Sequence, residues 1–115
     1  MPTIWTLGSE TRRTQFTYSG SVSTGVTLLF TGKPYISPEF FKAIMAHFKG
    51  STVTGGFSMT DPTAGGLGQW VEKNSKFINE ISLSPRHASF IAAILVHEGL
   101  ITSNLHRNAV YLYFP

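Results

Sequence analysis

The chain has 115 residues, 9 Lys and Arg against 6 Asp and Glu for a net charge of +3, no Cys, and 42% hydrophobic residues. That is one domain's worth of chain with enough apolar material for its own core, and the missing Cys excludes a disulfide scaffold and a thiolate zinc site. The longest apolar run, Phe90 to Val96, is too short to span a bilayer and the first twenty residues carry no apolar leader segment, so a cytoplasmic protein with no membrane role is expected.

Along the chain, residues 1 to 36 are rich in Thr, Ser, Gly and β-branched or aromatic residues. Gln15 to Tyr18 and Val26 to Thr31 read as strands separated by a Ser/Gly-rich turn, which predicts a hairpin or meander. Phe16 and Tyr18 alternate onto one strand face, as core residues or as a platform on which bases stack, with core the simpler reading. Ser37-Pro38-Glu39 then has the order of a helix start: a capping hydroxyl, Pro at the first helical position, and a carboxylate in the first turn. Phe41, Ile44, Met45 and Phe48 repeat at helical spacing up to Gly50, so a helix is expected over about 38–48.

Ser51 to Phe57 reads as a short strand. The stretch from Gly55 to Gly68 concentrates glycines with Asp61-Pro62, which predicts specific turns or a close backbone approach. Leu67, Trp70 and Val71 share one helical face with Asn74, Phe77 and Ile78 on its continuation, so 67 to 81 reads as one helix or as two short ones meeting near Asn74-Ser75. Ser84-Pro85 repeats the capped start, and Ile91, Ile94, Leu95 and Glu98 share one face before Gly99 ends that helix. Leu100 to Ser103 and Ala109 to Phe114 read as a terminal hairpin. Phe40, Phe41, Phe48, Trp70, Phe77 and Phe90 all fit core-facing helix positions. The whole is a single α+β domain over 1–115: a β-rich half to residue 60, and a second half from 61 built on two helices and a hairpin.

The run Phe77-Ile78-Asn79-Glu80-Ile81-Ser82-Leu83-Ser84, then Pro85 to Leu95, Glu98-Gly99-Leu100-Ile101 and Val110-Tyr111-Leu112-Tyr113 resembles the winged helix-turn-helix superfamily, over residues 75 to 114. That family places a short helix, a turn, a recognition helix, a Gly-Leu-Ile/Val exit and a two-stranded wing in this order. The low charge of the last helix and the β-rich first half depart from its pattern. The resemblance implies duplex DNA as partner in preference to RNA, a small transcription regulator or recognition module, no enzymatic activity and no cofactor, and it allows a homodimer. With Ile91, Ile94 and Leu95 turned inward, Arg86, Ser89, Ala93 and His97 form the opposite stripe, with His87 beside it, and that stripe would face the major groove. Lys73 and Lys76 would neutralise flanking phosphates, and His106, Arg107 and Asn108 at the wing tip would reach phosphates or the minor groove.

Two other classes stay open. One is a protein-interaction or oligomerising module whose strand Val110 to Phe114 pairs with a partner. The other is a small metal-independent nuclease using His, Arg and Tyr. Metal chemistry finds little in the sequence. His47, His87, His97 and His106 contain no helical i, i+4 pair, His97-Glu98 is followed by Ile101 where a zincin needs its second His, and the carboxylates Glu10, Glu39, Asp61, Glu72, Glu80 and Glu98 form no nuclease signature. Gly20 to Gly25 lacks the Lys that a phosphate-binding loop requires and is better read as a turn.

Overall fold

The computed structural model describes residues 1–8, 13–30, 32–59, 63–79, 81–106 and 109–115. Strands β1 (Thr3–Trp5), β2 (Gln15–Ser21), β3 (Gly25–Leu28) and β4 (Tyr35–Ile36) form an antiparallel sheet in chain order, a meander as the alternation predicts. Tyr18 lies opposite Leu28 and Val26 opposite Ile36. These four residues and Phe16 are buried, so one face of the sheet is core. The hairpin between β2 and β3 turns on Gly20 (φ 89°) and Gly25 (φ 99°), and a Cβ at Gly20 would run into the Gly25 carbonyl.

Helix α1 (Pro38–Phe48) begins as the sequence predicts, with the Phe40 N–H donating to the Ser37 hydroxyl at 3.1 Å. It buries Phe40, Phe41, Ile44 and Phe48 and leaves Lys42, Ala46 and His47 outside. Strand β5 (Thr52–Thr54) follows, then α2 (Leu67–Ile78), α3 (His87–His97), β6 (Thr102–His106) and β7 (Ala109–Tyr113). The second sheet runs β5-β7-β6, all antiparallel, with Val53 and Ser103 both opposite Leu112. The architecture is α+β: three helices and two antiparallel sheets among the described residues.

Several expectations are corrected. Because β5 pairs with β7, a division at residue 60 would cut through the second sheet. β7 is the inner strand of that sheet, hydrogen-bonded on both sides, so it has no free edge to offer a partner. Of the two readings of 67 to 81, the single helix is the one found, but α2 stops at Ile78, where Asn79 caps it by donating its backbone N–H to the Ser75 carbonyl. Phe77 does not face the core: it is 81% exposed, because α2 turns Leu67, Gly68, Val71 and the small Ser75 inward instead. The glycine-rich approach to α2 does reflect a close contact, and it is internal. The Gly68 N–H donates to the Gly55 carbonyl at 2.8 Å, and a Cβ at Gly68 would run into the Gly56 carbonyl.

The largest departure concerns α3. Ala88 and every residue from Phe90 to Leu95 are buried, because the helix has neighbours on more than one side. The first sheet meets it through Phe90 and Glu98, on the side that also carries Ile94. Phe90 meets Phe16 edge-on and Phe30 at a tilt, both with ring centroids 4.9 Å apart. At the other end of the helix Glu98 accepts from the Tyr18 hydroxyl at 3.0 Å and from the Val22 N–H at 3.1 Å. Burial and the adjacent carboxylate push the Tyr18 phenol up to about 12, so it is a donor at any ordinary pH.

Candidate functional site

The groove-facing stripe expected on α3 survives only at its first turn. Ala93 is 3% exposed and is a core residue. Exposing Phe90 beside it would cost about 2–3 kcal/mol, a large part of a domain's stability of roughly 5–15 kcal/mol, so the covered flank is not available to a duplex. His97 is exposed, but it lies at the far end of the helix, edge-on to Tyr18 at 6.4 Å. Ser89 is half-buried and its hydroxyl donates to the Arg86 carbonyl at 2.7 Å, turned back on its own helix. Arg86 is exposed and stands at the head of the helix.

The connection leading to Arg86 is held by two buried polar side chains. Ser75 Oγ accepts the Leu83 N–H at 2.7 Å. Asn79 Oδ1 accepts the Ser37 N–H at 2.6 Å, while its Nδ2 donates to the carbonyls of Tyr35 at 2.8 Å and Ile81 at 3.2 Å. Asn79 therefore pins the end of α2 to β4 and to the start of α1. Such a residue is invisible in one sequence, where a buried Asn looks like any surface Asn.

Ser84 does not cap α3. Its backbone N–H donates to His87 Nδ1 at 3.0 Å and its hydroxyl lies 3.1 Å from the same nitrogen. An acceptor at Nδ1 places the ring proton of neutral His87 on Nε2. Burial, then the neighbouring Arg86 charge, holds the His87 pKa below its ordinary value of 6.5. The imidazole is thus a neutral donor locked to the turn. His87 and Glu98 sit at opposite ends of α3 and do not meet.

Beside this turn is a cavity of about 490 Å³ walled by Phe16, Phe30, Phe90 and Met59, with Thr14, Gln15, Ser84, Arg86 and His87 at its polar side. A second cavity adjoins the residue that precedes Thr14. Arg13 lines about 300 Å³ of space with Trp5 on one side and Ser103, Asn104, Leu105 and Val110 of the β6–β7 hairpin on the other. There the Arg13 guanidinium stacks over the Trp5 ring, 5.1 Å from its centroid. Residues 13 to 16 thus separate the head of α3 from the hairpin. Trp5, Arg13, Phe30 and Met59 were not indicated by any motif; only their neighbours in space mark them.

Lys73 and Lys76 are both exposed on α2, and the exposed Phe77 extends their stripe. His106 is exposed at the end of β6. Arg107 and Asn108 lie outside the described residues, as do Glu10, Asp61 and Glu80. Among the described residues no group of three or more His, Asp or Glu is placed to hold a metal ion, and no helix is long and apolar enough to cross a membrane. The structure brings Ser84, Arg86 and His87 together, with Ser89 beside them but its hydroxyl bonded to the Arg86 carbonyl; it does not bring Ala93 or His97 to the same surface. Comparison of the chain with family models, with curated proteins and with solved structures finds no match.

Proposed function

We propose that the chain binds nucleic acid, with duplex DNA as the partner, through a winged helix-turn-helix unit reduced to the head of its recognition helix. The observation that carries this is the succession of α2, a side-chain-pinned turn, α3 and the β6–β7 hairpin, with Arg86 exposed at the N-terminal end of α3. The first residues of a recognition helix are the ones that reach base edges, and an Arg there is suited to a bidentate contact with guanine. His87 offers its Nε2–H beside it. Lys73 and Lys76 supply phosphate contacts from the preceding helix, where the net charge of +3 favours an anionic partner. His106, and beyond the described residues Arg107 and Asn108, are the wing contacts. The unit would serve as a small regulator or as a recognition module. Neither Ala93 nor His97 takes part.

Fluorescence anisotropy of a labelled mixed-sequence duplex at about 50 and 200 mM salt tests the reading. Binding that weakens steeply with salt is expected, with Lys76→Ala lowering the salt slope by about 1 for all sequences and Arg86→Ala weakening one selected sequence more than others. No binding at tens of micromolar protein in low salt would remove the proposal.

A further inference from the structure

The aromatic cavity at the head of α3 has features that a packing gap between two layers would not require. Its volume, about 490 Å³, falls in the range of sites that take small organic ligands. Three phenyl rings form its apolar wall, Phe90 edge-on to Phe16 and tilted against Phe30. Met59, 54% exposed, comes over from the glycine-rich connection as an adaptable thioether side. No carboxylate is among the described residues that line it, and the one full charge at its edge is the Arg86 guanidinium. A planar, weakly polar body is what the rings accept, since base–aromatic stacking contributes about 1–3 kcal/mol per base. An oxyanion is what the guanidinium accepts, in the two-point geometry it makes with phosphate. His87, whose Nδ1 is engaged by Ser84, is also among the lining residues.

We propose that this cavity takes a nucleotide, its base against Phe16, Phe30 and Phe90 and its phosphate on Arg86. The base comes either from a free mononucleotide or from an unpaired position of a strand held on the adjoining surface, and the second source rests on the nucleic-acid reading above. The neighbouring cavity at Trp5 is a poorer host, because Arg13 already occupies the face of the Trp5 ring. The larger recess beside α1, about 550 Å³, is lined by Glu39 as well as Lys42, so it offers an anion no net attraction.

The chain has three Met residues, so ¹³C-methyl labelling of Met gives a three-line spectrum in which Met59 reports the cavity and Met45, on α1, is the control. Adenosine monophosphate is expected to shift Met59 and leave Met45 in place, whereas ribose 5-phosphate leaves both. Arg86→Ala is expected to weaken adenosine monophosphate about tenfold, the loss of one charge-assisted contact, and to leave adenosine unchanged. A duplex with one unpaired adenine at its end is compared with the same duplex blunt. A Met59 shift with the overhang alone identifies a strand-borne base; a shift with the mononucleotide alone identifies a free nucleotide. Met59 unmoved by both at millimolar ligand, or moved equally by ribose 5-phosphate, overturns the inference. A blunt duplex that binds by anisotropy while neither probe moves Met59 overturns the inference and leaves the interface reading standing; mononucleotide binding without any duplex binding does the reverse.

Discussion

Helices α1 and α3 both follow a Ser-Pro pair, yet they become different objects. At Ser37 the hydroxyl caps the Phe40 N–H, and the helix starts at once and lies on the surface with a wet side. At Ser84 the hydroxyl and the backbone N–H both turn to the His87 ring, and helical geometry proper begins only at His87. The helix that follows is buried from Phe90 to Leu95. A capping signature thus says where a helix can begin, whereas its surroundings decide whether it is a rim or a centre. On the proposed reading, that burial leaves only the head of α3 to meet a partner.

Substitutions on the two helices break or sharpen this contrast. Ala93→Glu on α3 is expected to destabilise by roughly 3–5 kcal/mol, the penalty of an unpaired buried charge, whereas Lys42→Glu on the wet side of α1 shifts stability by about 0.5 kcal/mol or less. Urea denaturation of the two variants measures this, and a tolerated Ala93→Glu would mean that Ala93 is not a core residue. Asn79→Ala comes next. It leaves the Ser37 N–H and the Tyr35 and Ile81 carbonyls short of a partner, so a loss of roughly 2–3 kcal/mol is expected by the same assay.

Ser37→Ala then separates the two starts directly. Loss of a true cap is expected to cost about 1 kcal/mol. Ser84→Ala should cost roughly half of that or less, because the backbone N–H of residue 84 still donates to the imidazole. Equal losses would show that both serines cap. The smallest effect is a pH dependence confined to α3. His87 titrates lower in the folded protein than its ordinary 6.5, so the unfolded chain takes up the proton first. Its contribution is complete above about pH 6.5 and is lost as pH falls through the folded value below that. Thermal midpoints between pH 7.5 and 5 should therefore drop less in His87→Gln than in the parent, and parallel curves would rule the imidazole out.

What was readable from residues alone follows the same divide. The start and stop of α1, the alternation of β2, and the pairing of β6 with β7 rest on local chemistry: a cap with Pro38 behind it, buried Phe16 and Tyr18 two apart, a turn between two β-prone runs. Facing and partnership were not local. Phe77 looks like a core aromatic because the true inward residue, Ser75, is small and polar and finds its bond only at Leu83. Ala93 looks like a permissive outer residue because alanine carries no sign of which side it is on. One signal was present and unused: the apolar run from Phe90 to Val96 has no polar side, and a helix apolar all round is a buried helix. The three-residue β5 carries too little pattern to name its partner. Of the candidate site, Arg86 and His87 were legible from their place at the helix head, while Phe30 and Met59 join it only through contacts distant in sequence.

The strand order β5-β7-β6 also sets a sequence of events in time. Each strand of the first sheet meets the next one along the chain, but β5 reaches β7 only across α2, α3 and β6. Closing so long a loop is entropically slow, and nonlocal pairing is the step that delays folding. During refolding the amides of β2 and β3 should become protected from exchange before the Gly55 and Phe114 N–H groups, which bond the Val110 and Ser51 carbonyls across the closing seam; simultaneous protection in pulse-labelled hydrogen exchange would contradict this order. The cover over α3 is then ready before the hairpin sheet is sealed, and the helix is never presented bare.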